Sequence, residues 1–564
     1  MKKESLVDLA AKEVILKIWK STNWSESLLT KTKNAVCQKF KINSFRNIVL
    51  ISQLAKLEKN GIIPEDSGLK DFFRKRKVRT ISGIAPISVL TKPWTCRGNC
   101  VYCPTEILPL EKKTLFQKDV EKKYGVQKIP ARFQKPGVQI MPKSYLSSEP
   151  AAMRALLADF DPFLQTRRRI EALKKTGHDS SKCEIIVIGG TFSDLPKRYQ
   201  TYFLTRVFQA LNSDNFSEKT SLVLAQKKNE TAEHRAVGLT LETRPDAICK
   251  QEVRRFRKFG CTRVEIGVQT LDDEISKKTG RQQKKTDVIR ATKLLRNAGF
   301  KISYHLMPNL PFSTPQKDLE VFREICEKPD FKPDLLKIYP TAVVPFSRLE
   351  KWFRDGKYQP YSDEILFDIL EKMKIACPQW IRISRLIRDI PGTAIIAGNK
   401  KTNLRQILQK KMTKNKTNCH CIRCREIRSE NFDSQKAKLE IEEYSAGDGK
   451  EFFLQFVSEK EKKLLALLRL RIFNKKAKIL FRALRGTAII RELHTFGRAT
   501  KIGRKEKNVA QHFGFGKKLI VEAEKIVRNK KIKKLAVISG IGVKNFYRKL
   551  GFYDDGSYLV KKIS

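Results

Sequence analysis

The sequence predicts a multidomain α/β protein: a helical N-terminal region, a large strand–helix domain, a short cysteine-rich connector and a compact second α/β domain. Three observations carry this. At 564 residues the chain is too long for a single core. From about residue 76 to 395, short apolar runs of strand type alternate with helical stretches, the pattern of a parallel sheet, open or closed as a barrel. From about 436 the pattern changes to adjacent antiparallel strands, then a glycine turn and a helix.

Residues 1–75 read as helices with basic faces. Leu6, Leu9, Val14, Ile15, Ile18 and Trp19 recur at helical spacing, and no cleavage site follows, so the start is a helix and not a signal peptide. The helices end in a basic run from Arg74 to Arg79. In residues 76–395 the strand candidates are EIIVIGG (184–190), VGLTLET (237–243), VEIGVQT (264–270), KISYHLMP (301–308), LLKIYPT (335–341) and WIRISRL (380–386). Functional groups are expected at the carboxyl ends of such strands. Residues 396–435 form the basic, cysteine-rich connector. In residues 436–564, FFLQFVS, LLALLRLRIF, AIIRELHTF, LAVISG and YLVKKI are strands, and GKKLIVEAEKIVRNK is a helix.

Lys and Arg total 115 against 60 Asp and Glu, a net charge of +55 spread along the chain. Such an excess suits a polyanionic partner, because cations laid along phosphates release counterions; charge alone does not choose DNA or RNA. No run of about 18 apolar residues occurs, so a cytoplasmic protein with no membrane span is expected. Six of the 12 cysteines fall in two tight clusters. The others (Cys37, Cys183, Cys249, Cys261, Cys326, Cys377) read as small buried apolar residues.

The first cluster, Cys96, Cys100 and Cys103, has the spacing C-x3-C-x2-C. Three thiolates on one loop can hold three irons of a [4Fe-4S] cluster and leave the fourth open to a small molecule. A zinc site completed by a distant ligand is the alternative. The triplet is the signature of radical-SAM enzymes, in which the open iron binds S-adenosylmethionine (SAM). Gly189, Gly190 and Thr191 close a strand and resemble that superfamily's loop for the methionine amino group. Glu242 and Arg244 close another and are candidates for the SAM ribose or carboxylate.

An ordered set of longer stretches resembles the Elp3 family, the catalytic subunit of Elongator and its stand-alone relatives. It comprises MPKSYLSSEPAAMRA (141–155), GGTFSDLP (189–196), LTLETRPD (239–246), VEIGVQTLDDEI (264–275), YHLMPNLP (304–311), LKIYPT (336–341), RDIPG (388–392), RELHTFG (491–497), QHFGFG (511–516) and AVISGIGVKNFYRKLGF (536–552). The resemblance implies a radical-SAM partial (β/α) barrel joined to a GNAT acetyltransferase domain. It implies carboxymethylation of tRNA uridine 34 from acetyl-CoA: a SAM-derived radical takes hydrogen from the acetyl methyl group, and the carbon radical adds to C5 of the wobble base. The partners implied are the anticodon stem-loop of a tRNA, contacted by the N-terminal helices, and an electron donor.

The same resemblance carries residue roles. Glu492, Leu493, His494 and Thr495 face the thioester and pantetheine of acetyl-CoA, and Phe515, Gly516 and Lys517 hold its pyrophosphate. Tyr547 and Lys174 are acetyl-CoA contacts with catalytic roles; read alone, Tyr547 is a core aromatic and Lys174 a surface lysine. The second cluster, Cys419, Cys421 and Cys424, suits a structural zinc site, for which His494 or His420 is the candidate fourth ligand; a second iron–sulfur cluster is the alternative. The competing function is a protein lysine acetyltransferase whose cysteine domain is only structural.

Overall fold

The computed structural model describes every residue except 1–4, 66, 75–82, 110–137, 216, 218, 428–435, 460–461, 498–513 and 564. The N-terminal region is four helices: α1 (Leu6–Trp19), α2 (Glu26–Lys39), α3 (Asn47–Lys59) and the short α4 (Leu69–Phe73). Ser5 and Ser25 cap the first two through their side chains. Their apolar stripes close a separate core around Val14, Ile15, Ile18, Leu50 and Leu54.

Seven parallel strands make the central sheet: β1 (Ala85–Leu90), β4 (Lys182–Ile188), β5 (Arg235–Thr243), β6 (Arg263–Gln269), β7 (Lys301–Leu306), β8 (Leu335–Ile338) and β9 (Arg382–Arg385), in that spatial order. All six predicted strands are present, joined at one edge by β1, which the sequence pattern did not single out. The sheet is open, with β1 and β9 at its edges, as a partial barrel requires. A hairpin of β2 (Ile107–Pro109) and β3 (Val138–Ile140) stands apart.

Period-2 alternation splits this sheet into two chemically different faces. Ile87, Val89, Ile185, Val187, Leu239, Leu241, Val264, Ile266, Ile302, Tyr304, Leu336 and Ile383 pack in the main core. Their alternates, among them Glu184, Glu242, Arg263, Glu265, His305, Lys337 and Arg382, turn to the concave side and line a cavity. Parallel strands normally bury apolar side chains on both faces, so a polar inner face marks a place built to hold something polar.

The connector is more ordered than its composition suggested. Leu404–Lys414 is a helix that sends Leu404 and Leu408 into the main core, and Cys421 joins that core.

The second sheet runs β10 (Ala437–Ser445), β11 (Gly449–Ser458), β12 (Leu464–Phe473), β13 (Ala488–Thr495), β14 (Lys534–Val537), β16 (Tyr558–Lys562) and β15 (Tyr553–Asp555). Only β13 and β14 pair in parallel. The helix Phe515–Asn529 covers one face with Leu519, Ile520, Ala523 and Val527.

The other face meets the amino ends of β7 and β8. There Asp334, fully buried, accepts from Arg491 Nη1 at 2.9 Å and lies 3.5 Å from Arg469 Nη1. Arg491 also donates to Phe300 O at 2.7 Å and to Glu451 at 2.9 Å, and Arg469 donates to Glu492 at 2.8 Å. The two domains therefore share a buried ionic seam. Gly540 lets the chain touch the backbone of Val237 and Ala236, where a Cβ would clash with carbonyl oxygens.

Candidate functional site

The cysteine loop is held by backbone bonds on two sides. Asn99 and Val101 donate to the carbonyls of Gly280 and Thr279 at 3.1 and 2.9 Å. Leu349 N donates to Val101 O at 2.8 Å, and Thr105 N to Phe346 O at 3.0 Å. Cys100 and Cys103 lie together, while Cys96 Sγ is 3.8 Å from Thr191 Oγ1 at the end of β4. The Cys100 thiol is lowered to about 4, first by its hydrogen bond with Cys103 and, against burial, by the charge of Arg281 and Arg244, while that same bond and burial push the Cys103 thiol up. Arg281 Nη1 reaches the Cys100 sulfur at 3.8 Å.

Three features test whether these residues fit an iron–sulfur cluster with an exchangeable ligand. The triplet sits in a cationic surround suited to thiolates. Arg244, anchored to Asp246 at 2.9 Å, keeps a buried Nη1 with no hydrogen-bond partner beside Gly98 of the cysteine loop. Gly189 has φ +129°, and any Cβ there would press on Thr91. The donor set and the open cradle fit the group.

One cavity of about 990 Å³ joins this loop to the second domain. At one end stand Cys96, Cys100, Cys103, Gly189, Gly190, Thr191, Glu242 and Arg244; at the other stand Leu467, Arg469, Glu492, His494 and Phe496. Between them lies a buried polar chain. His305 Nδ1 is 3.2 Å from Glu242, and its Nε2 is 3.1 Å from Glu265, which also pairs with Lys337. Burial would raise the Glu265 carboxyl, but Lys337, His305 and Arg263 hold it well below the usual range. Tyr145 donates to Glu242 at 3.1 Å, and Arg388 lies over the Tyr145 ring and binds Glu149 at 2.8 Å. Thus stretches 141–155, 304–311 and 388–392 converge on one wall.

At the far end Glu492 bonds Arg469 at 2.8 Å and Lys301 at 3.1 Å. Burial would raise its carboxyl; Lys301 and Arg469 outweigh that and keep it ionised. β13 outlasts its parallel partner. The last pair is Ile490 with Val537, and among the described strands Glu492–Thr495 pair with β12. β13 and β14 thus diverge beyond Ile490. The helix Phe515–Asn529 begins near this wedge: Gly514 has φ +70°, and Gly516 lies 3.7 Å from Thr495 Oγ1 as a Cβ would measure it. Phe515 itself is buried on Phe456, so it can offer only its backbone, whereas Lys517 is exposed. Gln511, His512 and Phe513 lie outside the described residues.

Of the predicted acetyl-CoA residues, Glu492 and His494 line the cavity, whereas Leu493, Thr495, Phe515, Gly516, Lys517, Lys174 and Tyr547 stand outside its lining. Lys174, 46% exposed, ends the helix Pro162–Lys175 and pairs with Glu233 at 2.8 Å. Tyr547 is buried between Phe546 and Phe552 in the second core. Both flank the contact where residues 230–236 meet 540–548, through Arg548 and Glu230 at 2.7 Å.

The second triplet is drawn together, with the sulfurs of Cys419, Cys421 and Cys424 all within 4.8 Å of one another. Lys374 Nζ is 3.5 Å from Cys424 Sγ. Cys377, read from sequence as a core filler, is 3% exposed and close enough to Cys421 and Cys424 to feel their charge. His420 is exposed, and His494 lines the cavity, tilted against Phe496 with ring centres 4.4 Å apart. Cys377, Arg281, Glu265, His305 and Lys337 are the residues that motif reading missed. Only the placement of Glu265, His305 and Lys337 at inward strand positions could have pointed to any of them.

Comparison with known proteins agrees with this geometry. Residues 95–325 match the Radical SAM superfamily, and residues 333–414 match the Radical_SAM C-terminal domain. A Methanocaldococcus jannaschii protein named tRNA uridine(34) acetyltransferase is 40% identical, over 91% of this chain and 90% of its own. Elongator complex protein 3 of Danio rerio is 34% identical, over 95% and 93%. The solved structure of Methanocaldococcus infernus Elp3 lacking its N-terminus superposes with a TM-score of 0.70 at 37% identity, covering 86% of this chain and all of that one.

Proposed function

The chain belongs to the Elp3 family of radical-SAM tRNA uridine(34) modifying enzymes, and on that premise we propose that it carboxymethylates the wobble uridine with acetyl-CoA as carbon donor. The observation that carries the proposal is one cavity whose two ends are the cysteine loop and the Glu492–His494 stretch of β13.

In this reading Cys96, Cys100 and Cys103 hold the [4Fe-4S] cluster. Gly189, Gly190, Thr191, Glu242 and Arg244 receive SAM, the two glycines by close backbone approach and Arg244 through its unused N–H. When bound, the cluster and SAM supply a hydrogen-atom acceptor strong enough for an unactivated methyl group. Arg281 and Arg244 balance the thiolate charge. Tyr145 and His305 fix the two Glu242 oxygens, so its orientation is set before any ligand arrives.

At the other end, Glu492, Leu493, His494 and Thr495, on the stretch of β13 that runs beyond its pairing with β14, receive the thioester and pantetheine arm. The N-terminus of the helix Phe515–Asn529, with Gly516 and Lys517, offers N–H groups and a cation to the pyrophosphate. Tyr547 and Lys174 are acetyl-CoA contacts from the flank. Cys419, Cys421 and Cys424 hold a structural zinc, with Cys377 as fourth ligand in place of His420 or His494. The partners are the tRNA anticodon stem-loop and an electron donor.

The test is anaerobic reconstitution followed by incubation with SAM, acetyl-CoA and tRNA. A carboxymethyl mass gain on uridine 34, abolished by Cys100→Ser, is expected. Lysine acetylation that survives loss of all three cysteines, with no gain on tRNA, would establish the lysine acetyltransferase instead.

A further inference from the structure

Three exposed aromatic side chains surround the cysteine end of the cavity. Trp94 precedes the cysteine loop and lines the cavity; Phe312 sits in the loop after β7, and Phe346 in the loop after β8. They are 41%, 51% and 54% exposed. Because β7 and β8 are neighbours in the sheet, the two phenylalanines share one rim. Both are tied to the cysteine loop. Phe346 O accepts from Thr105 N at 3.0 Å. Phe312 packs edge-on against Trp352 at 6.0 Å, with Lys278 Nζ 5.1 Å from its ring centre. Lys278 ends the helix whose following turn accepts from Asn99 and Val101.

The backbone at both rings is unusual. Phe312 has φ +71° and Phe346 φ +64°, a region that bulky side chains rarely adopt and that gathers at functional sites. Burial does not explain it, since each ring stands half in solvent. Cations stand beside the rings: Lys277, Lys278, Arg348 and Lys351 are exposed on the adjoining helices, which also carry Asp273, Glu274 and Glu350, with Lys278 sharing Glu274 at 2.7 Å and Arg348 reaching Asn99 O. Isolated rings interleaved with cations suit unpaired nucleobases, each of which offers a π face while its phosphate meets the cations. A protein partner would instead call for a contiguous apolar patch.

We infer that Phe312 and Phe346, with Trp94, form a stacking rim that grips the unpaired bases of the anticodon loop on either side of the base entering the cavity. This rests on the reading of tRNA as substrate.

The test uses the full chain and an anticodon stem-loop carrying 2-aminopurine beside the wobble position. Phe312→Asn with Phe346→Asn keeps a residue at home in the left-handed region, and Phe→Tyr at both sites keeps the ring. Stacking predicts quenching of 2-aminopurine by wild type and by the Tyr variant. The Asn variant should lose the quenching and about 10-fold or more in affinity. Its slope of log affinity against log salt should be unchanged, because no phosphate contact is removed. Wild-type quenching and affinity in the Asn variant would overturn the inference and leave the rim to another macromolecule. A wild-type protein that binds no tRNA would overturn both the rim and the reading beneath it.

Discussion

Asp334 illustrates how single residues decide the molecule's integrity. It sits at the start of β8 with no exposed surface and faces two fully buried arginines from the second domain. Burial would raise its carboxyl, but Arg491 and Arg469 hold it well below the ordinary value of about 3.9. Its folded value is thus below its unfolded one. The stabilisation is complete above the unfolded value and is lost as pH falls through the folded one. Asp334→Ala would leave both guanidinium groups buried with their main partner removed, so a loss of about 3–5 kcal/mol is expected in denaturant unfolding at neutral pH. A loss under about 1 kcal/mol would mean that Glu451 and Glu492 satisfy the arginines without it. No periodicity in the sequence pairs Asp334 with Arg491; they are brought together only when the two sheets dock.

Among the elements, the long ones follow directly from pattern. α1 to α3 and the strands β5 to β8, β11, β12 and β13 stand where apolar spacing put them. β15 and the β2–β3 hairpin, three residues per strand, carry too few residues for a period to emerge, and β10, nine residues long, is a largely solvent-facing edge strand with little apolar signal. The connector was read as a basic cysteine-rich stretch, yet it contributes a packed helix and a clustered triplet in which Cys421 is buried. There a prediction separates the candidate fourth ligands. Cys377→Ser and Cys421→Ser should each lower bound zinc, measured by elemental analysis after dialysis, and reduce the melting temperature. His420→Ala and His494→Ala should leave the zinc content at one per chain. Full zinc in Cys377→Ser would return the fourth position to a histidine.

For the whole molecule, the charge of +55 sets the mode of tRNA recognition. Log affinity should fall linearly with log salt. Six phosphate contacts would cost about a thousandfold between 50 and 200 mM. An affinity flat in salt, measured by filter binding, would remove the charge from the account of recognition. No described helix is long and apolar enough to cross a membrane. The amino-acid sequence alone determined the chemistry on offer: two thiol triplets, glycines where backbone must approach a ligand, an acidic–basic strand-end motif, and the order of strands and helices. These are local, because spacing along a chain dictates what a loop or strand can present. Only the tertiary structure decided that the polar faces of seven strands enclose one cavity, that β13 parts from β14 to border it, and that the buried Cys377 comes near a triplet some forty residues away. Those depend on which surfaces bury together, and burial energy is summed over the packed whole, with no mark at any single position.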